Sequence, residues 1–222
     1  DVYKRQILHP AKEVGGDLYD FYMDGNHLYF LIGDVSGKGV PASLFMAITR
    51  SLFRTLSQHV LSPAKIVTEM NNSISDNNES NMFVTLIVGI LDLETGILKL
   101  CNAGHNPPIL IYPDGQVSYL EFKTQIFVGV VEDFKYSDEE VVLEKESKLF
   151  LYTDGVTEAE NINKELYGEE KLLEMLSDNA SSDVRTTVNV VVDSIASHVK
   201  EAEASDYLTI LLIQYEPGTA NS

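Results

Sequence analysis

The stretch LIGDVSGKGVPASLFMA at residues 31–47 ends an apolar run in Gly33-Asp34, passes through a glycine-rich turn carrying Lys38, and enters a helical pattern. Such a loop can cradle a phosphate or hold a metal ion, and spacing separates the two. A phosphate loop places four residues between its first glycine and the Gly-Lys pair, then Ser or Thr. Here three residues separate Gly33 from Gly37-Lys38, and Gly39 stands where the hydroxyl is needed. What remains is Asp34, a carboxylate leaving an apolar strand, where desolvation must be offset by a partner.

Other acids occupy similar places. Gly15-Gly16-Asp17-Leu18-Tyr19-Asp20 carries two carboxylates beside a glycine pair, Asp154 leaves the apolar run LFLYTDG, and Asp206 immediately precedes the apolar end YLTILLIQY. Left unpaired at 4 Å, two such charges repel by about 4 kcal/mol at an effective dielectric of about 20. A hard divalent cation bound through oxygen removes that cost. No His/Cys group has zinc-like spacing, so Mg²⁺ or Mn²⁺ is the expected ion. A single Asp-Gly reads most simply as a turn; four acids in like positions favour a metal cluster, although spacing alone does not bring them together.

The elements that must position these acids can be read from periodicity. Residues 27–33 and 82–93 are rich in β-branched and aromatic residues and read as buried strands. Turn chemistry at Glu94-Thr95-Gly96 joins the second to 97–104, and Pro113-Asp114-Gly115 joins a further hairpin between 107–112 and 116–122. Residues 141–155 read as a third pair joined at Lys145-Glu146-Ser147, and 207–215 as a last strand. Three- and four-residue apolar spacing predicts helices over 40–60, 62–75, 168–177 and 181–200, with Ser62 as N-cap and Pro63 at the first helical position. Hairpins with interspersed helices indicate an α+β chain with a mainly antiparallel sheet, and strands this apolar call for two sheets flanked by helices.

The chain has 222 residues, of which 44% are hydrophobic, and this suits one globular domain over 1–222. Lys+Arg 16 against Asp+Glu 34 gives 16 − 34 = −18, which argues against a nucleic-acid or anionic-membrane surface. The lone cysteine, Cys101 in KLCNAG, reads as a small buried strand residue compatible with a reducing cytoplasm. No run is long enough for a membrane span and no leader pattern is present. The opening residues DVYKRQ show neither cap nor clear strand, so the first six are expected to stand outside a fold cut from something longer.

GGDLYDFY, GDVSGKGVPASLFMA, NAGHNPPIL, LYTDGVTEAEN and SDYLT, in this order, closely resemble the bacterial SpoIIE/RsbU-type serine phosphatases, a branch of the metal-dependent (type 2C, PPM) protein phosphatases. The resemblance covers about residues 10–215. It implies an antiparallel β-sandwich flanked by helices, in four αββα layers, with two Mn²⁺ or Mg²⁺ ions at one end. Carried over motif by motif, Asp34 resembles the acid bridging both ions and the Val35 carbonyl a further ligand. Asp17 resembles a ligand of the second ion, with Asp20 a weaker candidate acting through water, and Asp154 and Asp206 resemble ligands of the first. The last motif departs from the family's Asp-Asp-x-Thr, reading Asp206-Tyr207-Leu208-Thr209. The implied catalysis uses no protein nucleophile: Asp34 and Asp154 act through a metal-activated water that attacks phosphorus.

His105 in NAGHNPP could protonate a leaving serine oxygen, though shaping the turn before Pro107-Pro108 is the simpler role. Lys12 lies where some relatives place a phosphate-binding arginine, and Lys38 stands in the glycine turn; each also reads as a solvated lysine. The apolar stripe from Leu44 to Phe53 is most simply core, in a helix that the resemblance links to regulation. The resemblance further implies a phosphoserine substrate on a STAS-type anti-sigma-factor antagonist. It makes the chain the C-terminal output domain of a longer cytoplasmic signalling protein, with an upstream sensor or regulatory partner and room for a homodimer. A module that docks the antagonist without hydrolysis is the competing reading, and the retention of Asp17, Asp34, Asp154 and Asp206 speaks against it.

Overall fold

The computed structural model describes residues 3–9, 15–76, 78, 81–200, 202 and 207–217. The chain forms two compact units, Val14–Pro107 with Glu121–Leu143, and Asp1–Glu13 with Pro108–Leu120 and Glu144–Ser222. Each unit holds one five-stranded antiparallel sheet. The α+β class with antiparallel sheets and helices is as the sequence pattern predicts.

The first unit is built on β2 (Leu18–Asp24), β3 (His27–Val35), β4 (Val84–Asp92), β5 (Ile97–Ala103) and β8 (Glu139–Val142), in that order across the sheet. β3 and β4 are apolar at nearly every position and buried on both alternating sets, as central strands require. Two helices cover one face, α1 (Val40–Leu56) and α2 (Pro63–Ser75). Ser62 caps α2 by accepting the Lys65 N–H at 3.3 Å, with Pro63 in the first turn as read from the sequence. Phe53, Met70, Leu31, Val67 and Val88 meet in the core between them, and each such buried side chain contributes about 1.5–3 kcal/mol.

α1 ends at Leu56, four residues short of the sequence expectation, because Ser57 turns its hydroxyl back onto the Phe53 carbonyl and His59 takes a left-handed φ of 59°. The stripe over 44–53 also needs correction. Phe53 and Thr49 face the core, whereas Leu44 and Ile48 are 62% and 54% exposed. Small residues such as Ala42 and the part-buried Phe45 and Met46 supply the rest of the inner face.

The second unit is ordered β1 (Tyr3–His9), β10 (Leu208–Gln214), β9 (Lys148–Tyr152), β6 (Ile109–Ile111) and β7 (Val117–Tyr119), with α3 (Glu169–Asp178) and α4 (Val184–Val199). Asp183 caps α4, and Val184, Val188, Val191 and Ile195 form its buried face, on the three- and four-residue spacing that predicts a helix here. Two expectations fail here. The opening residues do join the fold, since Tyr3–His9 pair along the whole of Leu208–Gln214. Residues 141–152 are not a hairpin: β8 pairs with β5, while β9 pairs with β10 and β6. Glu146 adopts a φ of 72° and donates its N–H to the Tyr215 carbonyl, so the 145–147 turn leads β9 toward β10 and not back onto β8. Among the described residues, no helix is long and apolar enough to cross a membrane.

Candidate metal-binding site

Asp34 and Val35 end β3 in the middle of their sheet. The β3–β4 register sets Asp34 opposite Thr85 and Val35 opposite Val84. On the other side Gly33 pairs with Leu18, which brings the next step of that ladder, Asp17, beside Asp34. Gly16 seals this corner. A Cβ on Gly16 would sit 2.8 Å from the Val35 carbonyl oxygen and 3.3 Å from Asp34 Oδ1. Gly16 is therefore a close approach of backbone to two oxygen donors. Asp17 is buried, 6% exposed, and Asp34 is half-buried.

The loop that follows is braced. Ser36 donates its N–H to the Phe83 carbonyl at 2.8 Å, and its hydroxyl accepts the Phe83 N–H at 2.9 Å. Ser43, in the first turn of α1, donates its hydroxyl to the Gly15 carbonyl at 2.8 Å. Lys38 lies exposed in the turn.

Asp20 behaves differently from Asp17. Its buried carboxylate accepts Arg54 Nε and Arg54 Nη2, both at 2.6 Å, and Arg50 Nε at 3.2 Å. Burial would raise its pKa, but the hydrogen bonds and charges of Arg54 and Arg50 outweigh it and hold the carboxyl below its usual range. Arg54 also stacks its guanidinium over the Tyr22 ring at 4.7 Å, and the Tyr22 hydroxyl meets Ser57 at 2.6 Å.

His105 is buried, and its backbone is held on both sides by Asn102: its N–H goes to Oδ1 at 2.8 Å and its carbonyl accepts Nδ2 at 3.0 Å. Its Nδ1 is hydrogen-bonded to the Thr85 hydroxyl at 2.9 Å. The ring thereby supports the residue that pairs with Asp34. Cys101 is fully buried; burial first, and the nearby Asp138 charge second, push its thiol up to about 12, in keeping with a structural strand residue.

In the second unit Asp154 opens a 3₁₀ turn, Asp154–Val156, directly after β9. A Cβ on Gly155 would overlap the Tyr207 carbonyl, so this turn packs against the chain one residue from Asp206. Thr153 and Thr209 complete the corner: the Thr153 N–H reaches the Thr209 carbonyl at 3.1 Å and the Thr209 N–H reaches Thr153 Oγ1 at 3.3 Å. Asp206 and Lys12 lie outside the described residues. Among the described residues, no three His, Cys, Asp or Glu side chains converge as a metal-binding group.

Each unit thus carries part of the expected set: Asp17, Asp34 and the Val35 carbonyl in one, Asp154 in the other. All are hard oxygen donors, a set that suits Mg²⁺ or Mn²⁺ better than zinc. Sequence reading missed Ser43, Thr85, Asn102, Arg50 and Arg54. Of these only the arginines left a trace, two cations four residues apart on one helix face in a chain with few cations.

The family model for Stage II sporulation protein E (SpoIIE) matches residues 24–216. The phosphoserine phosphatase RsbU of Bacillus subtilis (strain 168) is 26% identical over 206 residues, 92% of this chain and 61% of RsbU. The solved SiaA-PP2C domain of Pseudomonas aeruginosa superposes with a TM-score of 0.86 at 21% identity, covering 96% of this chain and 86% of that one. RsbX, solved in complex with magnesium, gives a TM-score of 0.72 at 18% identity over 96% of this chain and 94% of its own. The chain spans 37% to 61% of the length of the curated relatives it matches. The PP2C fold is therefore shared with structures of low identity, and with the family model running over most of its length the chain belongs to the SpoIIE family.

Proposed function

We propose that this domain is a metal-dependent protein serine/threonine phosphatase that hydrolyses phosphoserine, with a phosphorylated STAS-type anti-sigma-factor antagonist as substrate. In this reading Asp17, Asp34, the Val35 carbonyl, Asp154 and Asp206 hold two Mn²⁺ or Mg²⁺ ions. The observation that carries it is the Gly16 corner, where the backbone approaches both the Val35 carbonyl oxygen and Asp34 Oδ1 so closely that a Cβ would crowd them. The magnesium in RsbX and the phosphoserine activity in the name of RsbU support the same assignment.

Bound divalent ions supply Lewis acidity, lowering the pKa of water toward neutrality and offsetting charge on phosphoryl oxygens. The chain's own residues do the positioning. Asp34 is fixed by its ladder place between Leu18's strand and Thr85, and Val35 by the Ser36–Phe83 bonds. We assign His105 to holding Thr85 in that ladder, because its Nδ1 and its backbone are already engaged. Lys12 is retained as a candidate for the substrate phosphate. Partial coverage of the relatives supports a domain that serves as the output module of a longer cytoplasmic protein with a sensor or regulatory partner.

The test is phosphate release from a phosphoserine STAS protein with Mn²⁺, repeated with chelator and with Asp34→Asn. Release with Mn²⁺, abolished by both controls, is expected. Release that survives either control overturns the metal assignment, and no release from a metal-loaded protein points to a docking module.

A further inference from the structure

Asp20 sits three residues from Asp17, yet its surroundings give it a different task. Its two oxygens accept four N–H groups: Oδ1 takes Arg54 Nη2 and the Phe21 backbone N–H, and Oδ2 takes Arg54 Nε and Arg50 Nε. A carboxylate has about four lone-pair sites, so this set occupies them all. About 10 Å of extended chain separates positions 17 and 20, at roughly 3.3 Å per residue, and an odd step places them on opposite faces of a strand. Asp20 faces α1 together with Leu18 and Tyr22, which pack in the core that α1 covers. These bonds suit Asp20 to the part of an anchor rather than a ligand.

α1 grips the chain at two points that bracket Asp17, one just before β2 and one within it. Ser43 binds the Gly15 carbonyl before it, and Arg54 with Arg50 bind Asp20 after it. Arg54 adds a third hold, donating Nη2 to the Phe21 carbonyl at 2.9 Å. The same helix follows directly on the strand that delivers Asp34 and Val35. α1 therefore cross-braces the two strands whose ends carry these donors. We infer that Arg54 and Arg50, acting through Asp20, are positioning residues that hold Asp17 in register for metal binding. This inference rests on the metal-dependent reading above.

A double-mutant cycle on Mn²⁺ affinity tests it, read by calorimetric titration of the intact chain well below its unfolding temperature. Asp20→Asn, Arg54→Ala and the double variant are each expected to weaken Mn²⁺ binding by about tenfold, the usual scale for removing a residue that orients a ligand. The losses should coincide and not add, because either change removes the same clamp. Arg54→Lys keeps the charge but loses the two-pronged geometry, and should fall between wild type and Arg54→Ala; it also serves if Arg54→Ala does not fold. Loss of binding in Asp20→Asn with wild-type affinity in Arg54→Ala would make Asp20 a ligand and overturn the inference. Wild-type affinity in every variant, with only the unfolding temperature lowered, would reduce the clamp to a structural role and overturn it equally. Asp34→Asn separates the two levels. If wild type binds Mn²⁺ and Asp34→Asn does not, the metal reading stands whatever the clamp variants do. If wild type binds no Mn²⁺, that reading falls and this inference falls with it.

Discussion

Gly16→Ala is the smallest change that probes the site without touching a charged group. The added Cβ would lie 2.8 Å from the Val35 carbonyl oxygen, 3.3 Å from Asp34 Oδ1 and 3.4 Å from Val35 Cβ. Ordinary contact begins near 3.4 Å, so the carbonyl must yield by about 0.6 Å, and Asp34 by a tenth or so. Neither can move cheaply. Val35 is in the β3–β4 ladder, and Ser36 is bonded twice to Phe83. Overpacking of this kind costs about 1–3 kcal/mol of stability, but the larger effect falls on the donors. Displacement of oriented ligand groups weakens metal affinity by about 10–100-fold, or roughly 1.4–2.8 kcal/mol. Calorimetric titration with Mn²⁺ and phosphate release at subsaturating Mn²⁺ measure this, and excess Mn²⁺ should restore part of the rate. Gly25→Asn is the control. Gly25 has a φ of 55°, a conformation asparagine tolerates, and a Cβ there meets nothing within 4 Å. Gly16→Ala with wild-type Mn²⁺ affinity and rate would refute the claim that the Gly16 corner holds ligands.

Lys148 is buried and donates Nζ to the Ala180 carbonyl at 2.7 Å and the Ser182 carbonyl at 2.6 Å, tying β9 to the turn before α4. Lys148→Met leaves both acceptors unpaired and should cost about 1–3 kcal/mol, a fall of roughly 2–12 °C in Tm by calorimetry for a chain of this size. The Cys101 thiol, at about 12, holds a negligible thiolate fraction at pH 8, so native protein should not react with Ellman's reagent there, while protein in denaturant should react at once. Asp20 titrates below its usual 3.8 in the fold, so its contribution is present above that value and is lost as pH falls through the lower folded one. The acid limb of Tm against pH should therefore flatten in Asp20→Asn; an unchanged limb would mean that Asp20 does not drive it.

The legible parts of this chain were those whose signal is local. β3 and β4 declare themselves by their apolar runs, the 94–96 and 113–115 turns by their Gly and Pro chemistry, and α2 by Ser62-Pro63. β2 was not legible, because LYDFYMD mixes two acids into a strand whose buried Asp20 is satisfied only by arginines some thirty residues on. β1 was missed because it gains its place from pairing with β10 at the far end of the chain. The false hairpin at 141–152 shows the same limit, since two adjacent strands with a good turn between them still took partners elsewhere. At the site, the motifs named the carboxylates, but Gly16's close approach, the Thr85–His105 bond and the Arg54–Asp20 clamp are products of register and helix packing. Register converts one-dimensional spacing into contact, and it is set by long-range pairing.

The proposed metal site draws on the oxygens of Asp17, Asp34, Val35, Asp154 and Asp206, and the proposed phosphoserine hydrolysis requires its ions. Its most direct measurement is Mn²⁺ stoichiometry by equilibrium dialysis, made on the same wild-type and Asp34→Asn samples whose phosphate release is followed. Two Mn²⁺ per chain are expected in wild type, with release proportional to occupancy, and loss of both binding and release in Asp34→Asn. Hydrolysis by Asp34→Asn at the wild-type rate, or by wild type stripped of divalent ions, would contradict it.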